Sequence, residues 1–180
     1  MQKITITLLA IALLLLPIST ALSQEAHQSF GFKAASITGH IVRGVVAGEV
    51  SLAGGGVYDP ATGFIHAGGS FKCIETVTNP GASLYGCQAG QGGHWQALTL
   101  LQQRVFRCTG QPQTEPQKIA VTDDNTVVMV ALFYLRGAGN DEPVEVEMFV
   151  SEVDEAADLR STQSVWVQGV GCGRAIANFN

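Results

Sequence analysis

Two glycine runs, Gly54-Gly55-Gly56 and Gly68-Gly69, flank the segment Asp59-Pro60-Ala61-Thr62-Gly63 in a stretch otherwise rich in Val and aromatic residues. Asp, then Pro at the first inner position, then Gly at the exit is turn chemistry. The chain therefore doubles back here as a β-hairpin. Centring the turn on Ala61 sets Tyr58 opposite Phe64, Val57 opposite Ile65, Gly56 opposite His66 and Gly54 opposite Gly68. That register lays one glycine run beside the other and leaves a patch without side chains. Glycine inside a strand costs about 0.5–1 kcal/mol relative to Ala, so the cluster must answer a need. The needs are a sharp bend in the sheet, positive φ, or close approach of another group to the backbone. A ligand is one such group, and in that case Tyr58, His66 and Trp95 are the expected ligand-binding residues on the rim of a pocket.

The rest of the chain agrees with a β fold. All 21 glycines lie beyond residue 23, and beyond that point Val outnumbers Leu 18 to 8, which favours strands over helix bundles. Val127, Met129, Ala131, Phe133 and Leu135 share one face of a run whose other face carries Val128, Val130, Leu132 and Tyr134. A strand apolar on both faces is covered on both. Pro143–Val153 alternates, with Val144, Val146, Met148 and Val150 inward and Glu145 and Glu147 facing solvent. Ser164–Gly169 and Arg174–Phe179 close the chain as two further strands. Trp95, Leu98 and Leu101 stand at helical spacing, so His94–Gln103 is the one predicted helix. Strands separated by turn signals, without a βαβ rhythm, predict an all-β fold: a small antiparallel β-barrel (or sandwich) with one short helix.

Met1–Ser23 has the form of a secretory signal peptide. Lys3 supplies the positive end, Ile4–Leu16 the apolar stretch, and Ala21-Leu22-Ser23 the small residues before cleavage. The apolar stretch is short against the roughly 20 residues that span a bilayer. No later segment is long and apolar enough, so no membrane span is expected after cleavage. The predicted organisation is a signal peptide at 1–23, a flexible segment at 24–37 and a single β domain at 38–180. The predicted compartment is secreted or periplasmic. There Cys73, Cys87, Cys108 and Cys172 are expected to form two disulfides, with three pairings open. Cys73–Cys87 with Cys108–Cys172 is preferred, because the first closes a short loop and the second ties the chain end to its middle.

Charge and motif content narrow the function. A formal charge of −5 excludes nucleic acid as the expected partner. The cysteines show no CxxC spacing. The four histidines (His27, His40, His66 and His94) form no HxH or HExxH, so no metal and no cofactor are expected. Asp123-Asp124-Asn125 and Asn140-Asp141-Glu142 lack the calcium-loop pattern. Gly90-Gln91-Gly92-Gly93 lacks the following Lys-Ser/Thr of a phosphate loop, and no Ser sits in a G-x-S-x-G elbow. No catalytic residue is assigned.

The segments Gly55-Gly56-Val57-Tyr58-Asp59-Pro60, Gly63-Phe64-Ile65-His66-Ala67-Gly68-Gly69-Ser70-Phe71-Lys72-Cys73 and Ser164-Val165-Trp166-Val167-Gln168-Gly169-Val170-Gly171-Cys172-Gly173 carry a resemblance to small exported bacterial β-proteins. That likeness implies export and supplies no activity. At the level of fold alone, the glycine-rich hairpin resembles the small barrels of the allene oxide cyclase and dirigent type. The resemblance implies an apolar cavity that binds a ligand or steers a cyclisation. Three readings follow: a non-catalytic barrel that binds a small apolar ligand or a surface partner, a barrel-type cyclase or isomerase shaping an apolar substrate, and a structural envelope or extracellular module. A hollow interior favours the first two over the third.

Overall fold

The computed structural model describes residues 27–136 and 142–180; the predicted signal peptide, 1–23, lies outside them. Twelve strands follow in chain order: β1 (Gln28–Gly39), β2 (Ile41–Val42), β3 (Val45–Val46), β4 (Glu49–Asp59), β5 (Phe64–Glu75), β6 (Gly92–Leu101), β7 (Gln103–Phe106), β8 (Lys118–Val121), β9 (Thr126–Leu135), β10 (Val144–Ser151), β11 (Val165–Val167) and β12 (Gly171–Phe179). Eight of them close into an antiparallel barrel in the order β1-β12-β11-β10-β9-β6-β5-β4, while β2–β3 and β7–β8 are separate two-stranded ribbons. Closure removes the sheet edges that would otherwise invite pairing with another chain.

Alternation along each strand sorts side chains to the two sides of the wall. Phe32, Leu52, Phe71, Trp95, Phe133 and Met148 are among the residues that fill the interior. Lys33, Lys72, His94, Glu145 and Arg174 stand exposed outside. The β7–β8 ribbon lies over the outer face and builds a second core. Phe106 and Ala120 from the ribbon pack there on Val128, Phe149 and Trp166 of the barrel, with Phe106 edge-on to Phe149 at 4.8 Å. Val128 is thus buried on the second face of β9, as the double-sided pattern requires.

Three expectations are corrected. The predicted helix at His94–Gln103 is strand β6 running into β7. A register shift between Ala97 and Thr99 breaks the alternation, so Trp95 and Leu100 are both buried while Leu98 is exposed. Trp95, Leu98 and Leu101, three apart in the sequence, therefore share no face: Trp95 enters the barrel, Leu98 is exposed and Leu101 packs on the outer core. The segment predicted to be flexible, 24–37, contains most of β1 from Gln28 onward. It is held between β12 and β4, and Phe30, Phe32 and Ala34 point into the core. The alternation of Phe30, Phe32 and Ala34 is its local signal, while β12, one of its two partners, lies at the far end of the chain.

The hairpin register is the third. Asp59 pairs with Phe64, Tyr58 with Ile65 and Val57 with His66. The Asp59 carboxylate accepts hydrogen bonds from Ala61 N at 2.8 Å and from Thr62 Oγ1 at 2.8 Å, and Gly63 N donates to Asp59 O at 2.9 Å. Gly63 closes the turn at φ +76°, a conformation that suits glycine. The loop is therefore four residues, centred between Ala61 and Thr62. The glycine runs still face each other, now as Gly54 with Gly69 and Gly55 with Gly68.

Disulfides join Cys73 to Cys87 and Cys108 to Cys172, and among the described residues no cysteine is free. This is the preferred pairing of the three, and it fits an oxidising compartment. No helix among the described residues is long and apolar enough to cross a membrane.

Candidate functional site

The three residues expected around the glycine patch do not converge. Tyr58 is fully buried inside the barrel, where its hydroxyl donates to Asp123 O at 2.7 Å and its ring stands edge-on to Phe30 at 5.8 Å. Burial, then the nearby Asp123 and Asp124 carboxylates, hold its phenol above the ordinary range. Trp95 is also interior, with Nε1 donating to Ala53 O at 3.1 Å. His66 is on the outside, paired with Val57 and exposed.

The patch is occupied by the protein itself. Gly54 pairs with Gly69, and Gly69 with Trp95, so the three lie side by side across β4, β5 and β6. A Cβ on Gly54 would stand 2.4 Å from Trp95 Cζ2, and one on Gly69 would stand 2.7 Å from Trp95 Nε1. The bare backbone makes room for the indole. At Gly54 and Gly69 the need met is close approach, by the Trp95 indole and by neighbouring-strand backbone; at Gly55, Gly56 and Gly68 the nearest atoms are backbone of the adjacent strands. Phe32 at 6.0 Å and Phe133 at 6.4 Å from the indole continue the filling.

A cavity of about 880 Å³ opens on the outer surface, within the range of small-molecule sites. The floor is the outer face of β1 and β12, with Ala35 and Ser36 from β1 and Gly173, Arg174 and Ile176 from β12. At Ala35–Ser36 the register of β1 shifts against both neighbours. This bulge needs Gly173 opposite it, because a Cβ there would sit 2.1 Å from Ser36 O. One wall is Cys108–Thr109, from the β7–β8 connection. The other is Leu159–Ser161 with Gln163, from the β10–β11 connection.

Both walls are fastened. Cys108–Cys172 bonds the first wall to β12. The buried Glu115 carboxylate accepts from Cys108 N at 2.9 Å, Thr109 N at 2.7 Å and Thr109 Oγ1 at 2.7 Å, and it pairs with Lys118 Nζ at 2.7 Å. Burial by itself would raise the Glu115 pKa. Hydrogen bonds from Lys118, Cys108 and Thr109 outweigh it and bring the value down to about 2. Lys118 reaches the second wall through Asp158 Oδ1 at 3.3 Å. That wall is shaped by Asp154 Oδ1, which accepts from Ala156 N at 3.1 Å and Gln163 N at 2.9 Å. Ser161 is held at φ +67°, a costly region for a non-glycine residue and one often found at functional loops.

Three cations line the groove: Lys33, Arg160 and Arg174; no carboxylate does. Sequence reasoning missed all three. Lys33 lay in the segment read as flexible, Arg160 in a polar loop and Arg174 at the edge of a closing strand. Lys33 lies more than a hundred residues from Arg160 and Arg174 along the chain, and barrel closure between β1 and β12 brings it to them. The one available signal was the Cys108–Cys172 pairing, which already placed the chain end beside the first wall. Among the described residues no three His, Cys, Asp or Glu side chains gather as a metal site requires. Neither a family model, a curated protein nor a solved structure matches this chain.

Proposed function

We propose that the protein is an exported, non-catalytic binding domain that takes a small, largely apolar molecule into the outer groove between β1, β12 and the two loop walls. The observation that carries the reading is the contrast between a barrel filled by its own aromatic side chains and a fastened groove of about 880 Å³ outside it. Side chains that wait for a ligand need a preformed surface, and the disulfide and the Glu115–Lys118–Asp158 chain supply one. Export is supported by the leader-like first 23 residues and the two disulfides. The resemblance to cyclase and dirigent barrels would put chemistry in a hollow interior. Here Phe30, Phe32, Tyr58, Trp95, Phe133 and Phe179 occupy that space, which favours binding outside over cyclisation within.

The test is titration with the neutral fluorophore phenylnaphthylamine. Saturable binding is expected in the wild type. It should be lost in Ala35→Trp, whose indole fills the groove from its exposed floor position, with the melting temperature unchanged. Absence of saturable binding, or binding indifferent to Ala35→Trp, would refute the proposal.

A further inference from the structure

We propose that the molecule held in this groove is an anionic amphiphile: an apolar body carrying one carboxylate, sulfonate or similar group. This inference rests on the binding reading above and adds the charge of the ligand. The chain is acidic, with 15 Asp and Glu against 10 Lys and Arg, yet the lining of the groove contains three cations and no carboxylate. A cavity whose sign opposes that of its protein concentrates counter-charged ligands.

Of the other cations among the described residues, three are engaged, whereas Arg43, Lys72 and Arg136 form no ion pair. Arg104 pairs with Glu147, Lys118 with Glu115 and Asp158, and Arg107 Nε donates to Glu115 O at 3.0 Å. Among the described residues no ion pair engages Lys33, Arg160 or Arg174.

Their placement gives the ligand two ends. Lys33 sits on β1 directly across from Ile176 on β12, and Arg174 stands opposite the Ala35–Ser36 bulge. These two side chains rise from barrel strands on one diagonal of the same face, a spacing of about 7–8 Å between backbones. Arg160 comes from the facing wall. Leu159, Ile176, Ala35 and the Cys108–Cys172 disulfide provide the apolar contact. Ser36, Ser161 and Gln163 add neutral hydrogen-bonding groups beside the cations. A guanidinium from each side suits a planar carboxylate or a sulfonate, which accepts more than one N–H.

The test compares two probes that differ in one group: anilinonaphthalene sulfonate and phenylnaphthylamine, the same rings with and without the anion. Wild-type protein should bind the sulfonate more tightly, and 1 M salt, where the Debye length is about 3 Å, should erase the preference. All three cations are exposed, so each substitution among Lys33→Gln, Arg160→Gln and Arg174→Gln should weaken the sulfonate by up to about fivefold. None should move the neutral probe. Arg160→Gln with Arg174→Gln should lower sulfonate affinity more than tenfold.

Equal affinity for both probes, indifferent to salt and to the substitutions, would overturn this inference and leave the binding reading standing. Failure of both probes to bind would overturn both. Sedimentation with phosphatidylglycerol vesicles distinguishes a free amphiphile from a lipid surface. No vesicle binding is expected, and vesicle binding without probe binding would refute a small free ligand. If a variant fails to fold, the salt dependence of the wild type still decides the matter.

Discussion

Adding a single methyl group at Gly69 should cost far more than adding one at Gly31. The Cβ of Gly69→Ala would lie 2.0 Å from Ala53 O, 2.6 Å from Gly54 Cα and 2.7 Å from Trp95 Nε1. Two of those neighbours are backbone of a closed barrel and cannot yield alone, and the third is an indole with no free space to enter. Overpacking of this kind costs about 1–3 kcal/mol. Displacing the indole from its 3.1 Å hydrogen bond to Ala53 O adds about 1–3 kcal/mol. A loss near 3 kcal/mol is expected, or about 6–12 °C in melting temperature for a domain of this size. Gly31 lies in β1 with nothing within 4 Å of its Cβ position. Gly31→Ala should be neutral or stabilising by about 0.4–1 kcal/mol through the unfolded chain. Urea denaturation with disulfides intact measures both, provided the slopes agree. If Gly69→Ala matched Gly31→Ala within about 0.5 kcal/mol, close packing against Ala53 O and Trp95 would not be the reason for glycine at position 69.

Further outcomes follow from the same structure. Glu115 is depressed to about 2 in the folded chain from an ordinary 4.5, so its contribution is present above pH 4.5 and disappears as pH falls through about 2. Stability measured from pH 5 to pH 2 should fall in the wild type and fall less in Glu115→Gln, which starts about 3 kcal/mol lower; parallel curves would contradict this. Thiol titration of protein unfolded without reductant should find no reactive thiol, whereas two or more would break the disulfide framework. Replacing Cys108 and Cys172 by Ala should cost about 4 kcal/mol against about 3 kcal/mol for Cys73 and Cys87, since the bridges close separations of 64 and 14 residues; the reverse order would refute the chain-entropy argument. Tyr58→Phe keeps the ring contacts and loses the hydroxyl bond to Asp123 O. It should cost about 1 kcal/mol in the same denaturation assay, and a neutral result would mean that this bond contributes nothing.

What could be read from the sequence was what short-range chemistry determines. The turn at Asp59–Gly63, the alternation of β10 and the double-sided face of β9 all depend on neighbours in the chain, and they led to an antiparallel barrel. The errors arose where one residue changes the phase or where the partner is distant. The Asp59 carboxylate lengthened the turn to four residues and moved the hairpin register by one. Trp95, Leu98 and Leu101 stand at helical spacing but face the core, solvent and the outer core, and the shift between Ala97 and Thr99 hid the alternation of β6. β1 shows its strand character only in the short alternation Phe30, Phe32, Ala34 before the bulge at Ala35–Ser36 breaks it, and it is completed by β4 and β12 on either side. The site was illegible for the same reason. Tyr58 and Trp95 were recognised as important, but their role is to fill the barrel. Lys33, Arg160 and Arg174 become neighbours only when the barrel closes.

A filled barrel with its ligand outside is tested most directly by mapping amide and indole resonances during a titration with anilinonaphthalene sulfonate. Trp95 is enclosed between Gly54, Gly69 and Phe133, and its indole N–H resonance should stay fixed to saturation. The backbone amides of Thr109, Ser161 and Gly173, which line the groove, should shift together with one affinity. A shift of the Trp95 indole with those three amides unmoved would place the ligand inside the barrel and contradict the outer site.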